Sequence, residues 1–455
     1  MAINPLKESL RNASRDSIKE AIKNLRPHFL SGQWIGTGNI YAKYYKTNAY
    51  KDLLTRRSSL KDKQIKDYIA ASVFNHCGDG WSLLGRALSL HIKGDGNSSI
   101  HLAYYAELRA AMSLLASEGI GVFNNRHVIV KDGAVDLTPS LKRKNRSLGR
   151  THQFVWMALE HWTDRRLSAD TLANIICPGS ITLFEWLDAF GVANNIHPIG
   201  SKWMRLWGID IKQFGDDQIL RNYSSYRPSR ILPKSNTTAP HSLAFFSELW
   251  RMCEPSPSSR FNEIDKHLLR SSLSQAYKAV YGIEPHTSTN LDDYRAWIEK
   301  KIITLNFSAP VQKEWVNFLT WAIQPDDSKI IEEAGKFTSV DDPSHHLQVL
   351  ARATLLLRIS TGINAKLLKE AGFTKKDLEF WWGPYAVDNG IIKNAGAISN
   401  FLDLWDDVNI ALQDIMVWEK SQSKNYTYSD LVMDISKPIL RLSECERISL
   451  WGLGI

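Results

Sequence analysis

The sequence predicts a mainly α, multi-helical protein with a small β-hairpin insertion. Apolar residues recur at helical spacing along most of the 455-residue chain. The period changes at Val128-Ile-Val130 and Ala134-Val-Asp-Leu137, which flank Lys131-Asp-Gly133. Asp-Gly supplies the left-handed geometry of a tight hairpin turn. A doubly wound sheet would need several more strand signals than this.

Taken in order, Leu6, Leu10, Ile18, Ile22 and Leu25 predict an N-terminal helical pattern that stops at Pro27. Gly32 to Gly38 breaks the chain, and Tyr41, Tyr44, Tyr45 and Tyr50 then interleave with Lys43, Lys46 and Lys51. A helix is expected from Ile65 to Phe74, interrupted at Cys77-Gly-Asp-Gly-Trp81, with a second short one from Ser82 to His91. After Gly94-Asp-Gly96 comes the strongest pattern, Ser99 to Ser117, with Leu102, Tyr105, Leu108, Ala111, Met112 and Leu115 on one core face.

Beyond the hairpin, helices are expected over Thr151 to Trp162, Leu183 to Ala193 and Trp203 to Phe214. Pro228, Pro233 and Pro240, set among Ser, Thr and Asn, mark a domain boundary. Further patterns cover His241 to Cys253, Ile264 to Tyr281, Asp292 to Ile303, Val311 to Ile323, Leu347 to Ser360 and Ser399 to Glu419. The length exceeds what one core usually serves. The expected division is a basic helical segment, residues 1–66, a helical domain with the hairpin, 67–230, and a C-terminal helical domain, 231–455.

An apolar content of 44% with 23% charged residues argues against disorder. The 16 Trp read first as fillers of wide interhelical gaps and second as base-stacking surfaces. No apolar run reaches the length of a membrane span, and Met1 to Arg26 lacks a signal-type apolar stretch, so a cytoplasmic protein without a membrane partner is expected. Four scattered cysteines without a CxxC pair fit reduced thiols, and His345 with His346 diverge on a helix, so no metal or other cofactor is expected. Neither glycine-rich stretch has the GxxxxGK[ST] pattern of a phosphate loop.

The formal charge of +8 is concentrated: residues 1–66 hold 14 Lys or Arg against 5 Asp or Glu. Arg56, Arg57 and Lys61 there, with Lys142, Arg143 and Lys144 after Pro139, are the candidate nucleic-acid-binding residues. An ordinary solvated basic face is the plainer account.

One segment suggests chemistry: Asp216-Asp-Gln-Ile-Leu-Arg221-Asn222-Tyr-Ser-Ser-Tyr226-Arg227-Pro228. It resembles the RNxxxH signature of HEPN domains, with Arg221 and Asn222 matching and Tyr226 at the position of the family histidine. The resemblance implies a small helical bundle, a homodimeric site, RNA or a nucleotide as target, and a role as a metal-independent ribonuclease or toxin in prokaryotic antiviral defence. Arg221, Asn222 and Tyr226 are the catalytic candidates. An arginine forks onto phosphate oxygens and a histidine exchanges a proton near neutrality, whereas a tyrosine with a pKa near ~10 holds a phosphate better than it takes a proton. On a regular helix Arg221 and Tyr226 lie about 140° apart, so an irregular helix end is expected to bring them together.

The plainer alternative pairs Arg221 with Asp216 or Asp217. Two looser Arg/His pairs, Arg86 with His91 and Arg146 with His152, merit the same scrutiny, as do His101, Glu107, Arg109, Glu160 and His161 within helices. Glu107 is a candidate for orienting a base or an arginine from a neighbouring helix. Arg352 and Arg358 are expected in internal ion pairs or at a solvated edge, with Asp406 and Asp407 as partners for Arg352. The alternative function is a catalytically inactive adaptor or sensor that binds nucleic acid, or a partner protein of a defence system.

Overall fold

A computed structural model describes residues 5–29, 31–43, 59–123, 127–138, 150–226, 237–256, 259–285, 289–323, 326–336, 345–394, 402–422 and 425–453. Within these the architecture is mainly helical with one small antiparallel sheet, as the periodicity predicts. The helices that build and frame the core are α1 (Arg15–Lys23), α2 (Ser59–Ile92), α3 (Gly96–Ser117), α4 (Thr151–Thr163), α5 (Arg166–Ile175), α6 (Gln213–Tyr226), α7 (Ala239–Met252), α8 (Asn262–Tyr281), α9 (His345–Glu370) and α10 (Glu446–Leu453).

Helix α3 is the centre of the packing, lying against α2, α9, α6 and α4. Its Asp95 N-cap accepts from the Ser98 N–H at 3.0 Å, satisfying a donor that the first turn leaves open. The expected core face is only partly the buried one: Leu108, Ala111 and Leu115 are buried, while Leu102, Tyr105 and Met112 are half-buried. Neighbours on several sides bury Ala103, Tyr104, Ala106, Glu107 and Ala110 as well, which a single-stripe reading cannot anticipate.

The expected break at Cys77-Gly-Asp-Gly-Trp81 does not occur; α2 runs unbroken from Ser59 to Ile92. The glycines serve close packing instead. A Cβ on Gly80 would lie 2.6 Å from Leu357 Cδ2, and one on Gly78 would lie 3.0 Å from the Trp381 ring. Long helices tolerate such glycines when a neighbour's burial offsets their propensity cost of about 1 kcal/mol each.

The hairpin forms where expected, β2 (Val128–Lys131) pairing antiparallel with β3 (Ala134–Leu137), and Gly133 takes φ +74 in the turn. A third strand, β1 (Ile120–Gly121), adds on the β2 side. Two residues carry no readable period, so the sequence does not announce it. The sheet anchors α1: the Ser14 N–H donates to the Val130 carbonyl at 2.8 Å, and the Ser17 hydroxyl donates to the Lys131 carbonyl at 3.1 Å.

Helix α9 extends ten residues beyond the expected end at Ser360 and is buried along nearly its whole length. It packs on α2 and α3, so one continuous apolar core runs from Leu6 to Leu453. The proline-rich boundary expected between Tyr226 and Pro240 falls mostly on residues 227–236, outside the described residues. Trp156, Trp162, Trp186, Trp315, Trp381 and Trp405 are buried, as the filler reading expects. All four cysteines are free thiols. No helix among the described residues is long and apolar enough to cross a membrane.

Candidate functional site at Arg221

The geometry of α6 is set by an ion pair one turn before Arg221. Asp217, fully buried, accepts from Arg352 Nε at 2.9 Å and Nη2 at 2.6 Å, and His345 Nε2 lies 2.7 Å from the same carboxylate. This corrects two expectations. Asp217 is not the partner of Arg221, and Arg352 pairs with Asp217 rather than with Asp406 or Asp407. Asp407 instead faces Arg441 and Arg447.

Glu107 on α3 is buried rather than solvated and stands 3.8 Å from Arg352 without a hydrogen bond to it. Burial and the nearby Asp217 charge hold its carboxyl well above the usual carboxylate range. Burial pulls the same way on Asp217, but Arg352 and His345 outweigh it and hold that carboxyl below its ordinary value.

Released from Asp217, Arg221 projects towards α3 and α4 and is half-buried. Its Nη1 donates to Asn222 Oδ1 at 2.8 Å, and its Nη2 donates to the Tyr105 hydroxyl at 2.7 Å and faces His152 Nε2 at 3.3 Å. The guanidinium also lies 5.0 Å from the Tyr105 ring centre and 5.5 Å from that of Tyr104. Its Nε–H has no acceptor among the described residues. Two aromatic rings, an amide and an imidazole therefore fix the group and leave donor capacity over.

The hydrogen bonds assign the imidazole tautomers. A guanidinium has donors only, so His152 Nε2 carries the lone pair and Nδ1 carries the proton. Nδ1 then donates to the Tyr104 hydroxyl at 2.8 Å, which also accepts from Trp156 Nε1 at 3.3 Å. His101 Nδ1 lies 2.7 Å from Ser225 Oγ, whose own proton goes to the Arg221 carbonyl at 2.8 Å. His101 Nδ1 is thus the donor, and its Nε2 is left as a base. Burial first, and the Arg221 charge second, lower the pKa of both imidazoles below 6.5. They are neutral at physiological pH, the state a general base requires.

Arg221 and its neighbour Asn222 are hydrogen-bonded side chain to side chain. Tyr226 is 82% exposed, and α6 remains helical through it. Ser224 and Ser225 both donate to the Arg221 carbonyl, at 2.9 and 2.8 Å, without unwinding the helix. The expected irregular end is therefore absent up to Tyr226, which stays on a different side from Arg221.

The histidines come from elsewhere in the chain. His152 belongs to the loose pair with Arg146, and His101 to the polar set on α3; no spacing rule ties either to Arg221. Arg146, Arg56, Arg57, Lys142, Arg143 and Lys144 lie outside the described residues, and Lys61 is half-buried at the start of α2. The other loose pair does not converge: Arg86 is exposed, whereas His91 is buried with Nε2 2.9 Å from Ser242 Oγ. Arg109 meets His76 at 2.7 Å and Asp79 at 3.6 Å, Glu160 is exposed, and His161 is buried.

Among the described residues no group of three or more His, Cys, Asp or Glu is arranged to hold a metal ion. Compared with family models, with curated proteins and with solved structures, the chain gives no match in any of the three.

Proposed function

We propose that the Arg221 cluster handles the phosphodiester of RNA and cleaves it without a metal, in the manner of the HEPN domains that the Arg221-Asn222 signature resembles. The observation that carries this reading is a guanidinium held by Tyr105, Asn222 and His152, with His101 tied to the same helix turn through Ser225. Arg221 supplies charge and donors for the non-bridging oxygens. His101 Nε2 takes the proton of the ribose 2′-hydroxyl, and the 2′-oxygen bonds to phosphorus. The bond to the 5′-oxygen breaks, that oxygen leaves with a proton from water, and a 2′,3′-cyclic phosphate remains. His152 and Tyr105 are positioning residues. The setting that goes with this reading is a cytoplasmic, homodimeric effector of prokaryotic antiviral defence or of a toxin system.

The test is incubation of purified protein with single-stranded RNA in excess chelator, with end-group analysis of products. Cleavage giving cyclic phosphate ends is expected, reduced by roughly 100-fold or more in Arg221→Ala and in His101→Ala. Intact RNA after incubation with folded protein rejects the reading.

A further inference from the structure

A second site lies on the far stretch of α9 and is independent of the Arg221 reading. A cleft of about 900 Å³ opens between α9, the start of α8 and the turn after α5. Arg358, Gly362, Ala365, Lys366 and Lys369 line it from α9, at the spacing of one helix face. Arg260 and Phe261 line it from the approach to α8.

Its charge is unbalanced. Asp265 is occupied, accepting from Arg358 Nε at 2.9 Å, from Arg358 Nη2 at 2.7 Å and from the Cys177 N–H at 2.8 Å. Glu370 is shared between Arg15 at 3.7 Å and Lys366 at 3.8 Å. Arg260 has no carboxylate partner among the described residues, although it stands near Arg358, whose charge adds to burial in lowering its pKa to about 10. Arg358 Nη1 is buried without an acceptor, beside Gly362, where a Cβ would lie 2.5 Å from it. Unpaired buried donors and neighbouring like charges are costly in a fold that gains nothing from them. An anion in the cleft offsets the like charges of Arg260 and Arg358.

Size and lining narrow the anion. The cleft falls in the range that encloses small organic ligands and far exceeds a lone phosphate. Ile175, Leu402 and Trp451 give it apolar wall beside the cations. The planar guanidinium of arginine presents a fork of donors that matches the multiply charged oxygens of phosphate.

We propose that this cleft binds a small organic phosphate of nucleotide size, with Arg260 and Lys366 holding the phosphates and the apolar wall receiving the organic part. The thiol of Cys177, pushed up to about 11 mainly by burial, does not serve as a nucleophile there.

The experiment is calorimetric titration of the full chain with ATP, GTP, inorganic pyrophosphate and adenosine, paired with thermal denaturation. Saturable binding of at least one nucleotide is expected, tighter than pyrophosphate, with no response to adenosine. Arg260→Ala and Lys366→Ala should each weaken it at least tenfold while circular dichroism stays unchanged. Arg221→Ala should bind as the wild type does, so this result and that of the RNA assay fail or succeed separately. Absence of saturable binding by all three phosphate probes at millimolar concentration overturns the proposal. So does binding that is unchanged in both cleft variants.

Discussion

Arg352 grips Asp217 through two nitrogens, at 2.9 and 2.6 Å, and neither side chain is exposed to solvent. That pair, four residues before Arg221, separates the structural arginine of this region from the one with donors to spare. Removing one partner of a buried pair leaves an uncompensated charge and costs about 3–5 kcal/mol. Arg352→Met should therefore lower the unfolding free energy by about that amount in urea titration. Arg221→Ala, at a half-buried group, should cost about 1 kcal/mol. Equal losses would make Arg221 a structural residue and remove the basis of the RNA proposal.

Glu107 gives a pH signature. Its carboxyl is held above the ordinary value of 4.5 by burial and by Asp217, so the folded state keeps its proton longer than the unfolded chain does. The stability it contributes is complete below 4.5 and is lost as pH rises through the folded value. Glu107→Gln does not titrate. Its stability, measured by denaturant unfolding across pH, should gain on the wild type from about pH 4.5 upward. Parallel curves would mean that Glu107 is ionised in the fold.

The imidazoles of His101 and His152 report on Arg221 directly. Both titrate below 6.5, from burial and from the Arg221 charge. With folded values depressed, their contribution to stability is full above 6.5 and declines as pH falls through those values. In proton NMR titrations, Arg221→Gln should raise both midpoints part of the way towards 6.5. Midpoints that do not move would place the guanidinium elsewhere in solution.

Gly80 distinguishes a broken helix from a close crossing. At an exposed helical glycine, alanine stabilises by about 0.5–1 kcal/mol. Here the added methyl would meet Leu357 Cδ2 at 2.6 Å, and overpacking of this kind costs about 1–3 kcal/mol. Gly80→Ala should lower the melting temperature, and a rise would show that α2 and α9 do not approach as described.

Much of the architecture is legible in the sequence because periodicity reports burial directly. The hairpin is visible in its alternation and in Asp132-Gly133, and α4, α7 and α8 start and end within two residues of their expected bounds. Where the reading fails, the information is tertiary. Gly78 and Gly80 look like breakers until Trp381 and Leu357 are seen to occupy the space they leave. Arg221 and Asn222 are legible as neighbouring polar residues in a helical stretch, but the further partners of Arg221 come from α3 and α4. Tyr105 precedes it by 116 positions and His152 by 69, and no local pattern spans such distances. The sequence pairs Asp217 with the wrong arginine because separation along one helix is readable, whereas the approach of Arg352 on α9 to Asp217 on α6 is not.

Arg352 and Arg358 sit six residues apart on α9, about 9 Å along its axis and roughly 240° around it. One is bolted to Asp217 and the other to Asp265. Fastened at two heights and two bearings, this helix has a single angular setting. A residue inserted between Thr354 and Leu357 would swing one guanidinium by about 100° and strand a carboxylate at one end or the other, so this stretch tolerates exchange of side chains far better than any change in its length.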